Sequence, residues 1–228
     1  MVVSTPETTG SAAVDVAASP AGGWIVLFDG HGLSAWRGYR RPDVPSGWRQ
    51  EGSVLAFAPG ADPRSRGDLI TRAEYGDFEL ELDWRISPGG NSGVFYRGTE
   101  EYDELYWSAP EMQVLDNARH RDGRNPLTSA GSDYALYAPV RDVTKPVGEW
   151  NHVRIVALGP HVEHWLNGVR LVDYTIGSAD WKRRVAASKF GEYPHYGLAA
   201  RGHIGVQDHG DRVWYREIRI RPLLGSAN

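Results

Sequence analysis

The sequence of 228 residues contains no cysteine, which excludes disulfide bonds and thiolate metal sites. It also lacks any run of about 18 apolar residues, the length that a helix needs to cross a bilayer. Positive charge is not in excess, since 25 Lys and Arg residues face 29 Asp and Glu residues. No basic run is interleaved with aromatic residues. These absences predict a protein without a membrane span and without a nucleic-acid partner.

Residues 1–22 have neither a basic segment nor an apolar core of the kind found in signal peptides. Their Ser, Thr, Ala, Pro and Gly residues cannot bury enough surface to offset the entropy of ordering, so we expect a disordered leader. Two origins remain open, the remnant of a removed export signal and a plain disordered start. We predict a single β-sandwich domain over residues 23–224 and a short tail over residues 225–228.

Short apolar-alternating segments punctuated by Gly, Pro, Asn and Asp predict an all-β fold of two packed sheets. The clearest strand is Phe78–Ile86, in which apolar and charged residues alternate. Further strands are predicted, among others, over Trp48–Phe57, Asp68–Thr71, Gly93–Tyr96, Glu111–Leu115, Asp133–Tyr137, Asn151–Leu158 and His161–Leu166. The dipeptide Asn167-Gly168 favours a two-residue hairpin turn. One short helix is predicted over Ser178–Ala187.

Polar side chains alternate with apolar ones in several predicted strands, which places them on the face away from the core. Glu111 and Gln113 alternate with apolar residues in this way, and so do His203 and Gln207. The segment His161–Leu166 likewise turns Glu163 and Trp165 outward. Such groups can hydrogen-bond sugar hydroxyls, and an indole face can stack on a sugar ring.

A conventional glycosidase would carry two catalytic carboxylates on one strand, but Arg85 and Ile86 stand where the second Glu would follow Glu81 and Asp83. The acidic residues of this strand therefore indicate a solvated or ion-paired face. His203 and His209 could transfer protons or bind a metal. Lys189, one of three lysines among 25 basic residues, could form a salt bridge or act in a site.

Several motifs, taken in order along the chain, together resemble one known family. They are Leu27-Phe28-Asp29-Gly30, Gly89-Gly90-Asn91-Ser92-Gly93-Val94-Phe95-Tyr96-Arg97, Pro110-Glu111-Met112-Gln113-Val114-Leu115-Asp116-Asn117, Gly148-Glu149-Trp150-Asn151, Val162-Glu163-His164-Trp165-Leu166-Asn167-Gly168, Ser188-Lys189-Phe190 and Gly202-His203-Ile204-Gly205-Val206-Gln207-Asp208-His209-Gly210. The sequence resembles the 3-keto-disaccharide hydrolase family over residues 23–224.

The resemblance implies a concanavalin A-like jelly-roll sandwich that cleaves glycosides already oxidised to a ketone at C3. Such cleavage needs one base and a group that stabilises the enolate oxygen. His209 or Glu163 is expected as the base, with Lys189, His203 or a bound divalent cation as the stabiliser. The residues expected to contact substrate are Glu111, Gln113, Asp116, Trp165, Gln207 and Asp208.

The resemblance also implies a small carbohydrate or glycoside as the partner and a sugar 3-dehydrogenase that supplies the ketone. No cofactor is certain, and a divalent metal ion remains open. A periplasmic or extracellular location in a bacterium is expected. The alternative function is a non-catalytic, lectin-like carbohydrate-binding module on the same fold.

Overall fold

The computed structural model describes residues 23–60 and 62–223, so the predicted leader and tail lie outside the described residues. Its elements are β1 (Ile25–Phe28), β2 (Trp36–Gly38), β3 (Trp48–Glu51), β4 (Val54–Phe57), β5 (Leu69–Thr71), β6 (Phe78–Ile86), β7 (Asn91–Gly98), β8 (Glu111–Leu115), β9 (Asn151–Leu158), β10 (His161–Leu166), β11 (Val169–Thr175), α1 (Ala179–Ala186), β12 (His203–Val206) and β13 (Val213–Pro222). Short 3₁₀ turns include Leu105–Trp107 and Lys189–Glu192. The described part contains no helix long and apolar enough to span a membrane.

The strands form two antiparallel sheets that pack face to face. The eight-stranded sheet has the order β11-β10-β9-β6-β13-β4-β3, with β1 also paired to β13. The five-stranded sheet has the order β2-β5-β12-β7-β8. Inward-facing residues of both sheets, such as Leu80 and Ile155 from one and Met112 and Val206 from the other, form a shared apolar core. The predicted all-β, two-sheet sandwich is therefore confirmed.

The five-stranded sheet has a second, outer face that is partly covered. Because Val94 and Val206 point into the core, their neighbours in sequence point outward. At one end of this face Ile70, Phe95 and Leu105 form a small apolar cluster. At the other end the outward residues are polar, and there the face remains open.

The strands with the strongest local alternation are predicted correctly, since β6, β8, β9 and β10 have the predicted bounds. Asn167 and Gly168 both have positive φ, as the predicted turn requires. The helix is confirmed, and the Ser178 side chain caps it by accepting a hydrogen bond from the Trp181 N–H.

Two strand predictions are wrong, and one strand was missed. The predicted strand Trp48–Phe57 is a hairpin of β3 and β4, because the chain turns at Gly52 with positive φ. The segment Asp133–Tyr137 is a turn, in which the Tyr137 N–H donates to the Asp133 carbonyl. The short strand β2 lacks an alternating pattern and was not predicted.

The outer face of the eight-stranded sheet carries a ladder of ion pairs, as the alternation of β6 indicates. Glu79 accepts from Arg154 and, at 2.6 Å, from the Arg221 Nε, while Asp83 accepts from Arg216 at 3.0 Å. The side chain of Glu79 is only 6% exposed. Burial favours its neutral form, but the two guanidinium groups outweigh this effect and hold the pKa of Glu79 below its usual range.

Replacement of Glu79 by Gln should lower the free energy of unfolding at pH 7 by about 2 kcal/mol, because it leaves two arginines without their carboxylate. The pKa of Glu79 is lowered on folding, so its stabilisation is complete above pH 4.5 and is lost as the pH falls further. Urea unfolding of the wild type and of Glu79→Gln should therefore converge in acid. Glu51→Gln, which breaks an exposed pair with Arg49, is the control and should cost less than about 0.5 kcal/mol. Equal losses for the two variants would contradict this account.

Candidate functional site

A cleft of about 250 Å³ lies over the polar end of the five-stranded sheet. Its floor is made by side chains from four adjacent strands or their ends, and its walls come from the loops that follow. The lining residues are Asp68, Asn91, Glu104, Tyr106, Glu111, Gln113, Tyr134, Lys189, Gln207, Asp208 and His209. Six of the sequence-predicted residues therefore lie together, namely Glu111, Gln113, Lys189, Gln207, Asp208 and His209.

Three amide side chains of the floor have an oxygen without a donor. Asn91 Oδ1, Gln113 Oε1 and Gln207 Oε1 are buried and accept no hydrogen bond within the described residues. The Gln113 amide is oriented by its own Nε2, which donates to the Thr128 carbonyl at 3.2 Å. Buried polar atoms without partners are uncommon in folded proteins. These oxygens are therefore acceptors held ready for a ligand with hydroxyl donors or for a hard cation.

Glu111 lies across the backbone of Gly93 on the neighbouring strand. A Cβ atom built on Gly93 would stand 2.0 Å from Glu111 Oε1, so only glycine leaves room for this carboxyl group. Glu111 is 4% exposed. Burial raises the pKa of Glu111 to about 8, and the opposing effect of nearby Lys189 is smaller. Glu111 is thus mainly a neutral carboxylic acid at pH 7, able to donate a hydrogen bond.

Lys189 lies beside Glu111 among aromatic rings at the cleft wall. Its Nζ stands 4.5 Å from the ring centre of Tyr134 and 4.9 Å from that of Tyr106. These rings exclude water from one side of the amine although the side chain remains exposed overall. Desolvation lowers the pKa of Lys189, while the charge of Glu111 acts in the opposite direction. The contacts with the rings hold the nitrogen at the cleft by cation–π attraction.

His209 and Asp68 also have shifted pKa values in the cleft. Desolvation is the main cause that lowers the pKa of His209, so its imidazole is neutral at pH 7 and can accept a proton. Complete burial raises the pKa of Asp68 to about 7, although its carboxylate accepts from the Asp208 N–H at 2.9 Å. Groups with pKa values near neutrality are typical of sites that transfer protons.

Asp208 has a structural part in the cleft. Its carboxylate accepts from the Gly67 N–H and from Arg66 Nε, each at 2.7 Å, and from the Gly210 N–H at 2.9 Å. These bonds fix the loop that carries His209. Asp208 therefore holds the adjacent residue His209 in place.

Four sequence-predicted residues lie away from the cleft. Glu163 and Trp165 point outward as predicted, but from the eight-stranded sheet, on the opposite side of the molecule. There Glu163 accepts from Trp165 Nε1 at 2.7 Å and from Arg170 at 3.0 Å. Asp116 accepts from the Gly89 and Ala118 N–H groups and lines a different cavity.

His203 shares the outer face of β12 with Gln207 but lies four residues away, or about 13 Å along the strand. Gly205 between them is covered by Leu105. The Nε2 atom of His203 stands 3.4 Å from Arg37 Nη2 and 3.8 Å from Glu74. His203 therefore lies in a cluster of charged side chains at the start of the central strand β12, outside the cleft.

A larger cavity of about 820 Å³ does not contain these groups. It shares no lining residue with the cleft, and residues of the segment 116–129 form part of its wall. The smaller cleft is the candidate site, because it combines the shifted pKa values, the unpartnered acceptors and a neutral histidine.

Comparison with known proteins identifies the family. The model of the 3-keto-alpha-glucoside-1,2-lyase-like domain matches residues 23–221 of this chain. The chain belongs to this family. A family member from Bacteroides thetaiotaomicron, named 3-keto-disaccharide hydrolase, is 36% identical over 89% of this chain and 79% of its own length.

Solved structures support the fold. A predicted glycosyl hydrolase from Parabacteroides distasonis is 31% identical, with a TM-score of 0.80 over 89% of this chain and 94% of the other. A Bacillus subtilis protein of unknown function with a galectin-like fold matches 83% of this chain and 89% of its own, with a TM-score of 0.52 and 11% identity. The latter shows a shared fold alone.

Sequence reasoning missed two polar residues of the cleft floor, Asp68 and Asn91. Asp68 is the first residue of the predicted strand Asp68–Thr71, and Asn91 stands two residues before the predicted strand Gly93–Tyr96. Both have the outward parity, which is the signal that could have found them. Their membership depends on strand pairing, because β5 reaches the cleft only by pairing with β12. Glu104 and Tyr106 belong to the acidic and aromatic loop after β7.

Replacement of Gly93 by Ala should displace the Glu111 carboxyl group from its buried position, because the added Cβ occupies the same space. We expect the pKa of Glu111 to fall from about 8 toward its ordinary value of 4.5, as read from its carboxyl ¹³C shift. Gly23→Ala is the control, since a Cβ there meets nothing within 4 Å. An unchanged Glu111 titration in Gly93→Ala would show that glycine is not what makes room for the buried acid.

Proposed function

We propose that this protein is a carbohydrate-active enzyme that cleaves 3-keto-glycosides, including 3-keto-disaccharides, in the cleft over the five-stranded sheet. The observation that carries the proposal is the presence in one cleft of a neutral carboxylic acid, Glu111, and a neutral imidazole, His209. The family description, which names a 1,2-lyase acting on 3-keto glucosides, and the name of the B. thetaiotaomicron relative support it.

The reaction begins with removal of the proton at C2, which the neighbouring C3 ketone makes acidic. His209 accepts this proton, and the electron pair of the C2–H bond forms an enolate whose oxygen is that of the ketone. The enolate then re-forms the C3 ketone, and the electron pair of its C2–C3 double bond becomes a C1–C2 double bond. The C1–O bond breaks at the same time, and its electron pair leaves with the oxygen. The departing oxygen takes up a proton, which the imidazolium of His209 can return. Water adds later across the double bond and completes the net hydrolysis.

The enolate oxygen needs hydrogen-bond donors, and Glu111 and Lys189 can supply them. The protonated carboxyl of Glu111 donates without bringing a like charge close to the developing anion. The N–H groups of Lys189 add a second donor. Gln113 and Gln207 offer acceptor oxygens that orient the sugar hydroxyls.

A divalent cation would also suit part of this cleft. The unpartnered amide oxygens of Asn91, Gln113 and Gln207 are hard donors next to the carboxyl of Asp68. Such a cation would polarise the ketone oxygen when bound. Among the described residues, the one group of three closely spaced His, Asp and Glu ligands is His161, Glu163 and Asp173, on the other sheet.

The alternative, a non-catalytic sugar-binding module, would use the same cleft and the same acceptors. It has no need for a carboxylic acid held neutral by burial or for a neutral histidine in the same cleft. The C3 ketone of the proposed substrate must come from oxidation of a sugar hydroxyl, so a sugar 3-dehydrogenase is the class of enzyme that would supply it.

The deciding experiment incubates the protein with a 3-keto-disaccharide and with its unoxidised parent, with and without EDTA, and follows released sugar by NMR. We expect cleavage of the keto substrate alone. His209→Asn should lower kcat by 10²-fold or more through loss of the base. Glu163→Gln tests the other sequence-based candidate and should leave the rate within about twofold. Binding of both sugars without cleavage of either would instead establish a binding module.

The pH dependence of kcat/KM should be bell-shaped. Below the lowered pKa of His209 the base is protonated, so the acid limb falls at less than pH 6.5. Above pH 8 Glu111 ionises and no longer donates, which gives the alkaline limb. Glu111→Gln keeps an N–H donor but cannot ionise, so this variant should lose the alkaline limb. If the alkaline limb persisted in Glu111→Gln, another group would be its cause.

A further inference from the structure

The large cavity lined in part by the segment 116–129 is separate from the cleft. Its floor is lined by residues of both sheets, namely Trp84 and Ile86 of β6 and Asn151 of β9 from one and Leu115 of β8 from the other. Its volume of about 820 Å³ is within the range of small-molecule sites and more than three times that of the cleft. The reaction proposed above uses none of these residues.

The floor of this cavity contains a buried donor without an acceptor. Trp84 is 2% exposed, and its Nε1–H has no hydrogen-bond partner within the residues that the structure describes. A buried N–H without an acceptor is unfavourable. A ligand oxygen that accepted from it would remove this penalty.

Cations outnumber carboxylates by one in the lining of the cavity, where Arg119, Arg124, Arg141 and Lys145 face Asp116, Asp142 and Glu149. Asp116 accepts from backbone N–H groups, Asp142 accepts from Asn117 and Thr144, and Glu149 is exposed. Lys145 donates to the Trp150 carbonyl. The guanidinium groups of Arg119, Arg124 and Arg141 have no hydrogen bond or ion pair to any residue of the described ranges 23–60 and 62–223. These three cations line the cavity of a chain whose net charge is -4.

We propose that this cavity binds an anionic saccharide, a sugar that carries a carboxylate, sulfate or phosphate group. Guanidinium groups form strong, charge-assisted hydrogen bonds with such oxyanions. The sugar ring fills the space between Pro126, Pro139 and Val147, and a hydroxyl oxygen accepts from Trp84 Nε1. An inorganic ion alone would leave most of the volume and the indole donor unused.

The test measures binding by isothermal titration with glucuronate, glucose 6-phosphate, glucose and inorganic phosphate. At least one sugar anion should bind tenfold or more tightly than glucose and than inorganic phosphate. The double variant Arg124→Ala/Arg141→Ala should weaken this binding at least tenfold, because these exposed side chains are not needed for folding. Lys182→Ala, which removes an exposed lysine of α1, is the matched control and should bind like the wild type.

Each contrary result overturns the proposal. Equal binding of glucose and the sugar anions, or no effect of the arginine changes, would exclude an anionic saccharide. If inorganic phosphate bound as tightly as glucose 6-phosphate, the cavity would recognise only the oxyanion and not the sugar. Trp84→Phe removes only the buried donor and should weaken sugar-anion binding about fivefold, with thermal unfolding as the check on its fold. Glu111→Gln should leave this binding unchanged, so its outcome and that of the cleavage assay are independent.

Discussion

The packing of Met112 and Val114 between the two sheets fixes the position of the chemistry in this protein. Because side chains alternate along a strand, burying these two residues in the core forces Glu111 and Gln113 onto the outer face. The adjacent strand contributes Gly93 at the point where the Glu111 carboxyl lies. A register slip of one residue would exchange the faces and move every one of these groups into the core.

The two sheets show that the same residue type acquires opposite properties from its neighbours. Glu79 and Glu111 are almost equally buried, at 4% exposure each. Glu79 faces Arg154 and Arg221 across the strand pairs and stays ionised. Glu111 faces a glycine and uncharged amides, with one lysine nearby, and burial raises its pKa. A carboxyl group becomes structural or reactive here according to how many arginines its neighbouring strands supply.

The parts of the fold that follow from local sequence were predictable, and those that follow from pairing were not. The strands β6 and β8 are recognisable because their alternation is complete within nine and five residues. The outward direction of Glu163 was likewise predicted correctly. The pairing of β10 with β9 and β11 decides which sheet contains it. Alternation within β10 could therefore not show that the outward face of its sheet lies on the side of the molecule opposite the cleft. Asp68 was missed for the same reason, since β5 reaches Gln207 only through β12.

Burial also reconciles the acidic composition of the cleft with an anionic intermediate. The four carboxyl groups of the lining, Asp68, Glu104, Glu111 and Asp208, would repel an enolate if all were ionised. With pKa values of about 7 and 8, Asp68 and Glu111 are half or mainly protonated at neutral pH. Asp208 is neutralised by Arg66 and by backbone donors. The cleft therefore presents far less negative charge than its sequence implies, and its buried acid faces the substrate as a hydrogen-bond donor.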